Sequence, residues 1–164
     1  MGRLKFDPQA LLDALDAERQ SRGLSWVELS RRLHVSTSTM RGMPDRRWGV
    51  ELDGVLQMTW WLGRTVEDFS GGDGGRRPAP GDFASTGKLL RFDTRVCYDA
   101  LDAMRNRRGL SWEETARQVW PSGPWGEDQL KGMARGGRSE VNSALAIVEW
   151  LGAHIGDFTR WSLT

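Results

Sequence analysis

The chain of 164 residues lacks the features that direct proteins to membranes, to secretion or to metal ions. Its apolar runs are shorter than the roughly 18 residues that a membrane helix needs, and its first residues lack the apolar stretch of a secretory signal. The single cysteine, Cys97, has no second cysteine with which to form an intramolecular disulfide or a thiolate metal site. We therefore expect a cytoplasmic protein that binds no membrane, no metal and no cofactor.

The chain also lacks a large net charge, and it has few histidines. The 23 basic side chains are balanced by 22 acidic ones, and a net charge of +1 excludes a histone-like polycation or an acidic mimic of nucleic acid. The two histidines, His34 and His154, lie beside apolar residues, and neither belongs to a nucleophile motif with serine or cysteine. The carboxylates are scattered among arginines, which is ordinary surface patterning. We predict that the protein is not an enzyme.

What the sequence does contain is an internal repeat. Arg22-Gly23-Leu24-Ser25-Trp26 recurs 86 positions later as Arg108-Gly109-Leu110-Ser111-Trp112. Trp61-Leu62-Gly63 recurs 89 positions later as Trp150-Leu151-Gly152. The agreement keeps the same order from residues 5–69 to residues 92–161, which we call the first copy and the second copy.

The repeat predicts two small domains joined by a linker. We place the first domain at residues 1–70, the linker at residues 71–91 and a second, divergent domain at residues 92–164. The stretch from Ser70 to Arg91 holds six glycines and two prolines. Such a composition loses much conformational entropy on ordering and buries little apolar surface, so we predict that the linker is flexible.

Local signals predict short helices in both copies, with no strand-like alternation, and therefore an all-α fold. Ser25 and Glu28 form a capping box at the start of a second helix, whose inner face we assign to Val27, Leu29 and Leu33. Ser36 caps a third helix over residues 37–43. The second copy follows the same plan.

A family resemblance covers almost all of the first copy. It is carried by the run Arg22-Gly23-Leu24-Ser25-Trp26-Val27-Glu28-Leu29-Ser30-Arg31-Arg32-Leu33-His34-Val35-Ser36-Thr37-Ser38-Thr39-Met40. This run resembles the lambda-repressor-like (XRE-type) helix-turn-helix family, and the ending from Trp61-Leu62-Gly63 to Asp68-Phe69 resembles that of actinobacterial members. The second copy carries the pattern more weakly, so the chain resembles a tandem regulator of actinobacterial or actinophage type. The resemblance implies two five-helix domains, each with a third helix that enters the DNA major groove.

In the first copy, the resemblance implies DNA contacts at and around the third helix. Hydroxyl groups both donate and accept hydrogen bonds, and arginine pairs with guanine or with phosphate. Trp26 begins the second helix, where its indole N–H donates to a phosphate or its ring packs against the first helix. The candidate contacts in this copy are Trp26, Ser36, Thr37, Ser38, Thr39, Arg41, Arg46 and Arg47.

The second copy departs from the pattern at this element. Pro121-Ser122-Gly123-Pro124 lengthens the turn by a net four residues. Glu127 and Asp128 carry the same sign of charge as phosphate, yet carboxylates also accept from cytosine N4, so base reading and loss of DNA binding both remain open. The candidate contacts in this copy are Trp112, Glu127, Asp128, Gln129 and Lys131.

We therefore expect a sequence-specific binder of double-stranded DNA, a transcriptional repressor in the cytoplasm of a bacterium or of its phage-infected host. Two alternatives remain. The chain is a protein-interaction module of the antitoxin or adaptor type, or the first domain binds DNA while the second self-associates. A basic face around helices two and three favours DNA, whereas an apolar face lined by tryptophan favours a protein partner. An exposed apolar patch on the second copy favours self-association.

Overall fold

The computed structural model of the protein describes residues 4–46, 49–81 and 87–163, which are mostly helical. The first copy contributes four α-helices: α1 (Pro8–Ser21), α2 (Trp26–Leu33), α3 (Thr37–Gly42) and α4 (Leu52–Leu62). The second copy contributes α5 (Thr94–Arg107), α6 (Trp112–Val119), α7 (Glu127–Gly132) and α8 (Val141–Leu151). Corresponding helices have the same lengths of 14, 8, 6 and 11 residues, so the helix order of the first copy recurs in the second.

Single 3₁₀ turns follow the third and fourth helix of each copy. They span Met43–Asp45 and Glu67–Phe69 in the first copy, and Met133–Arg135 and Ile155–Phe158 in the second. In each copy the last of these turns stands where the fifth helix implied by the resemblance would lie. In the part of the chain that the structure describes, no helix is long and apolar enough to cross a membrane.

A two-stranded antiparallel sheet corrects the all-α prediction in its strict form. Strand β1 (Lys88–Phe92) pairs with β2 (Thr159–Leu163), with Leu90 opposite Trp161. The burial of successive residues along these strands does not alternate strictly, so no period of two marks them in the sequence. The first four residues of β1 fall inside the predicted linker, which therefore ends in paired strand.

The predicted helix starts and ends are confirmed at several positions. Ser25 accepts from the Glu28 amide at 3.1 Å, while the Glu28 carboxylate accepts from the Ser25 amide. Ser111 and Glu114 repeat this reciprocal cap in the second copy. Gly23 follows α1 with φ +67°, a backbone conformation that side chains with a Cβ rarely adopt.

One hydrophobic core extends through both copies. Leu11, Leu15 and Trp61 are fully buried in the first copy, and Cys97 and Leu101 occupy the positions of the two leucines in the second. Burial of Leu29 and Leu33 confirms their place on the inner face of α2. The same prediction is wrong for Val27, which is 54% exposed. Val27 precedes Leu29 by two residues, and a two-residue step moves a side chain about 200° around a helix.

The two copies pack directly against each other through backbone hydrogen bonds. The Leu52 amide donates to the Ser139 carbonyl, and the Val141 amide donates to the Val50 carbonyl, both at 2.9 Å. The Ile155 amide donates to the buried Glu67 carboxylate at 3.1 Å. Burial raises the pKa of Glu67 above its ordinary value, against the opposing effect of that hydrogen bond.

The first part of the linker, residues 71–81, lies against the end of α4 and the turn that follows it. The Arg77 guanidinium donates to both carboxylate oxygens of Asp68, at 3.0 and 3.1 Å. The Gly81 amide donates to the Trp60 carbonyl at 3.3 Å. A side chain at Gly63 would approach Pro80, which places the linker backbone close to the end of α4. These contacts attach the linker to the first copy.

Candidate nucleic-acid interface

The first helix pair consists of α2 and α3, joined by the three residues 34–36. His34 ends α2 in a left-handed conformation with φ +54°, and Val35 is buried. Ser36 begins α3 as its N-cap. Met40 and Met43 are buried and fix the inner face of α3 on the core. The opposite face of α3 is therefore held in a defined orientation towards solvent.

The start of α3 presents a surface of hydroxyl groups. The Ser36 hydroxyl accepts from the Thr39 amide at 3.1 Å and donates to Thr39 Oγ1 at 2.7 Å, so it is committed to capping the helix. Thr37 is half-buried, and its hydroxyl donates to the Trp26 carbonyl at 3.4 Å. Ser38, Thr39 and Arg41 are exposed. Thr39 keeps its own hydroxyl proton for donation, since its oxygen is the acceptor in the bond from Ser36.

Trp26 packs against α1, which is one of its two predicted roles. Its ring is half-buried, with the Arg19 guanidinium 4.7 Å from the ring centroid. Arg19 is itself fixed by Asp16 at 2.6 Å, and this hydrogen bond is the main reason that the pKa of Asp16 is lowered. Arg41 approaches the same ring at 5.7 Å. The ring thus provides a cation–π contact for an exposed arginine on α3.

Further arginines border a groove of about 400 Å³ beside the start of α3. Arg46 is exposed and donates to the Gly49 carbonyl at 3.3 Å. Arg91 and Arg138 line the same groove from outside the first copy, and Arg138 also pairs with Glu51 at 3.1 Å. Sequence reasoning missed these two arginines because they reach the groove only through the packing of the copies. Arg47, a predicted contact, lies outside the described residues.

The second helix pair, α6 and α7, uses its candidate residues differently. Gln129 Oε1 accepts from the Gly126 amide at 2.8 Å and so caps α7. Glu127 pairs with Lys131 at 3.2 Å, while Asp128 is exposed. The Trp112 ring stacks on Tyr98 at 5.4 Å, and the Arg105 guanidinium lies 4.4 Å from its centroid. Trp112 is therefore a packing residue.

The lengthened turn before α7 has its own packed aromatic pair. The rings of Trp120 and Trp125 lie 5.6 Å apart, and Trp120 Nε1 donates to the Ser143 carbonyl at 3.3 Å. The indole at the beginning of the turn is thereby attached to α8. The four extra residues are accommodated without shortening α6 or α7 relative to their counterparts.

The helix pairs also differ in charge. From Ser25 to Arg46 the first copy has four arginines and two acidic residues, which gives +2. The equivalent stretch from Ser111 to Gly136 has three basic and four acidic residues, which gives −1. In the described ranges, no group of three or more histidine, cysteine or acidic side chains is placed to hold a metal ion.

Comparisons with known proteins found no matching family model, no matching curated protein and no matching solved structure. The case for a function therefore depends on the chemistry of the two helix pairs.

Proposed function

We propose that the protein binds double-stranded DNA in a sequence-specific manner, as a lambda-repressor-like transcriptional repressor. In this proposal, α3 of the first helix pair enters the major groove. The observation that carries the proposal is the exposed set of Ser38, Thr39 and Arg41, on a short helix fixed to the core by Met40 and Met43.

The chemistry of this set suits base edges. Short hydroxyl side chains let the helix backbone come close to the groove floor, and they donate or accept as the base requires. Arg41 offers two parallel N–H groups to guanine O6 and N7. Its position over the Trp26 ring restricts its rotamers, which lowers the entropy that binding must remove.

Arginines around α3 suit the phosphates on either side of the groove. Arg31 on α2 and Arg46 after α3 are both exposed. Contacts from such residues fix the register of a protein on the duplex without reading sequence. With Arg32 and Arg41 they make four positive charges, which Glu28 and Asp45 reduce to the net charge of +2 on this helix pair.

A protein partner for this surface is less well supported. Trp26 is covered by arginines, and Val27 is the one large hydrophobic residue in the described part of the first helix pair that is mostly exposed. An apolar docking face needs a contiguous patch of several such side chains.

The proposal is tested by selecting from random duplex DNA with the purified full chain. We expect a defined motif to be enriched, and Arg41→Ala to weaken its binding about 10- to 100-fold with relaxed preference at one base pair. Arg76→Ala is the matched control, because Arg76 is exposed and lines a cavity at the opposite end of α4. No enrichment, or equal losses for the two variants, would overturn the proposal.

Self-association through the second copy is a second candidate function. Trp161 is 46% exposed and Leu163 is 82% exposed, and the two side chains share one face of β2. Sedimentation of the full chain against Trp161→Ser measures it. A dimer that the substitution disperses supports self-association, and a wild-type monomer at tens of micromolar would exclude it.

A further inference from the structure

The contacts between the two copies are reciprocal. Val50 and Ser139 are equivalent positions, 89 residues apart, and so are Leu52 and Val141. Leu52 donates to Ser139 at 2.9 Å, and Val141 donates to Val50 at the same distance. Each copy thus donates to the other the same backbone hydrogen bond that it accepts from it. Glu51 and Glu140, also equivalent, face each other in an antiparallel bridge at the centre.

A second reciprocal pair lies further from this centre. The Phe6 amide donates to Asn142 Oδ1 at 2.9 Å, and the Phe92 amide donates to Asp53 Oδ1 at 2.9 Å. Phe6 corresponds to Phe92, and Asp53 corresponds to Asn142. Reciprocal contacts between equivalent residues are the signature of an isologous, twofold interface. The two copies are therefore related by a local twofold axis through the Glu51–Glu140 bridge.

Each helix pair has a groove beside this axis. The groove next to α3 is lined by Ser36 and Thr39, and the groove of about 240 Å³ next to α7 is lined by Gln129. Arg138, whose side chain is 72% exposed, lines both grooves. The starts of α3 and α7 thus flank the axis on either side of Arg138.

We infer that one chain binds DNA as an intramolecular pseudo-dimer, with two unlike half-sites at one fixed spacing. This inference rests on the proposed function of the first helix pair. The ligand is a duplex with a non-palindromic, two-part site, and the rigid contact between the copies, rather than the linker, sets the distance between its parts.

The pattern of equivalent residues explains why the half-sites are related but unlike. Two basic positions are kept in both copies, while the first three residues of the third helix differ. The basic pairs are Arg31 with Arg117 and Arg41 with Lys131, whereas Arg46 corresponds to Gly136, the residue that ends the equivalent 3₁₀ turn. The differing pairs are Thr37 with Glu127, Ser38 with Asp128, and Thr39 with Gln129. Hydroxyls, carboxylates and amides read different base edges, so the second copy prefers another sequence.

The inference is tested with the duplex selected by the full chain, by inserting one to five base pairs between its two protected parts. A flexible tether tolerates such insertions, whereas a fixed pseudo-dimer loses one half-site as the second part rotates away. We expect one chain per duplex and a loss of about 100-fold at five inserted base pairs, the lower end of the gain from linking two binding units. Changes within about threefold across the series, or two chains per duplex, would overturn the inference.

A second measurement locates the half-site that the second copy reads. The double substitution Glu127→Thr and Asp128→Ser gives α7 the residues of α3 at two positions. Repeating the selection should change the preferred bases in one part of the site and leave the other part as before. An unchanged motif would overturn the inference while the proposed function stands. Absence of binding to any duplex would overturn the proposed function and the inference together.

Discussion

The first and second copies have the same helices and different surfaces. Residues that cap, end and bury the helices recur at equivalent positions, from the Ser25 and Ser111 boxes to the buried Trp61 and Trp150. Residues on the outer face of the third helix do not recur, and hydroxyls are replaced by carboxylates and an amide. The repeat has therefore kept what the fold requires, while the face that would meet a ligand has changed.

The turn within each helix pair shows the same division. The first copy joins its helices through three residues, with a left-handed His34 that permits a tight turn. The second uses residues 120–126 and stabilises them with Trp120 and Trp125. A tight turn depends on one backbone conformation. A longer turn loses more conformational entropy on folding, and it needs packing of its own side chains to offset that loss.

Removing equivalent core residues should produce the largest effects and shows whether the copies unfold together. Leu15→Ala and Leu101→Ala each delete a fully buried side chain and should each lower the free energy of unfolding by about 2–5 kcal/mol. Because the copies share a core, we expect one transition for each variant in urea, followed by circular dichroism. Gln20→Ala and Asn106→Ala are matched surface controls. Two separated transitions would show that the copies are independent domains.

Equivalent cations on the third helices should differ in what they contribute to DNA binding. Arg41→Ala should cost about 1–3 kcal/mol and relax base preference, because arginine reads guanine. Lys131→Ala should reduce affinity without changing preference, by about threefold or less, since Lys131 is already paired with Glu127. Titrations at several salt concentrations separate the two effects. A change of base preference in Lys131→Ala would show that α7 reads bases through this lysine.

Asp68 accepts hydrogen bonds from two arginines, and replacing it should change how the free energy of unfolding depends on pH. Burial would raise the pKa of Asp68, but hydrogen bonds from Arg77, the Thr65 amide and Arg64 outweigh it and lower the pKa to about 2. A carboxyl group with a lowered pKa stabilises the folded state above its unfolded pKa of about 3.9, and this stability is lost as pH falls through the folded pKa. Asp68→Asn should cost about 2 kcal/mol at pH 7 and flatten the loss of stability between about pH 4 and pH 2.

The control for that experiment is Asp157→Asn. Asp157 accepts the equivalent amide hydrogen bond, from His154 at 2.9 Å, so the two variants share the loss of one backbone contact. The difference in the free energy of unfolding between the two variants therefore measures the contribution of the arginines around Asp68. Equal acid profiles for the two variants would show that those arginines do not stabilise the fold.

Loss of the serine caps should produce the smallest effects and the closest match between the copies. Ser25→Ala and Ser111→Ala should each lower the free energy of unfolding by about 1 kcal/mol, because each removes the acceptor for one helix-end amide. Thermal unfolding of the two variants and of the double variant measures this. We expect the double variant to lose the sum, and a larger loss would indicate that the caps are coupled.

Local signals explain most of what the sequence predicts about the fold. Caps, glycine helix ends and buried leucines depend on residues within one or two turns, so the helices and the connection of α2 to α3 follow from the pattern. Strands β1 and β2 depend on a partner that lies about 70 positions away, and their short burial patterns carry no clear period.

The candidate site was only partly predictable for a related reason. The exposure of Ser38, Thr39 and Arg41 could be predicted, because these residues lie on one helix and away from its buried face. The place of Arg138 beside α3, and the use of Gln129 as a cap, depend on tertiary packing and on a choice between hydrogen-bond partners. Val27 was misassigned because a short helix of eight residues gives few positions from which to fix its inner face.

Cys97 gives the second copy a chemical property that the first lacks. It occupies the position of Leu11, is fully buried, and burial raises the pKa of its thiol to about 12. Thiol reagents attack the thiolate, so the folded protein should resist them and react only when this part of the core opens. The rate of thiol labelling therefore measures how often the core of the second copy opens, and the measurement needs no substitution. A labelling rate equal to that expected from global unfolding would show that the two copies open as one cooperative unit. A faster rate would show that the second copy opens before the whole protein unfolds.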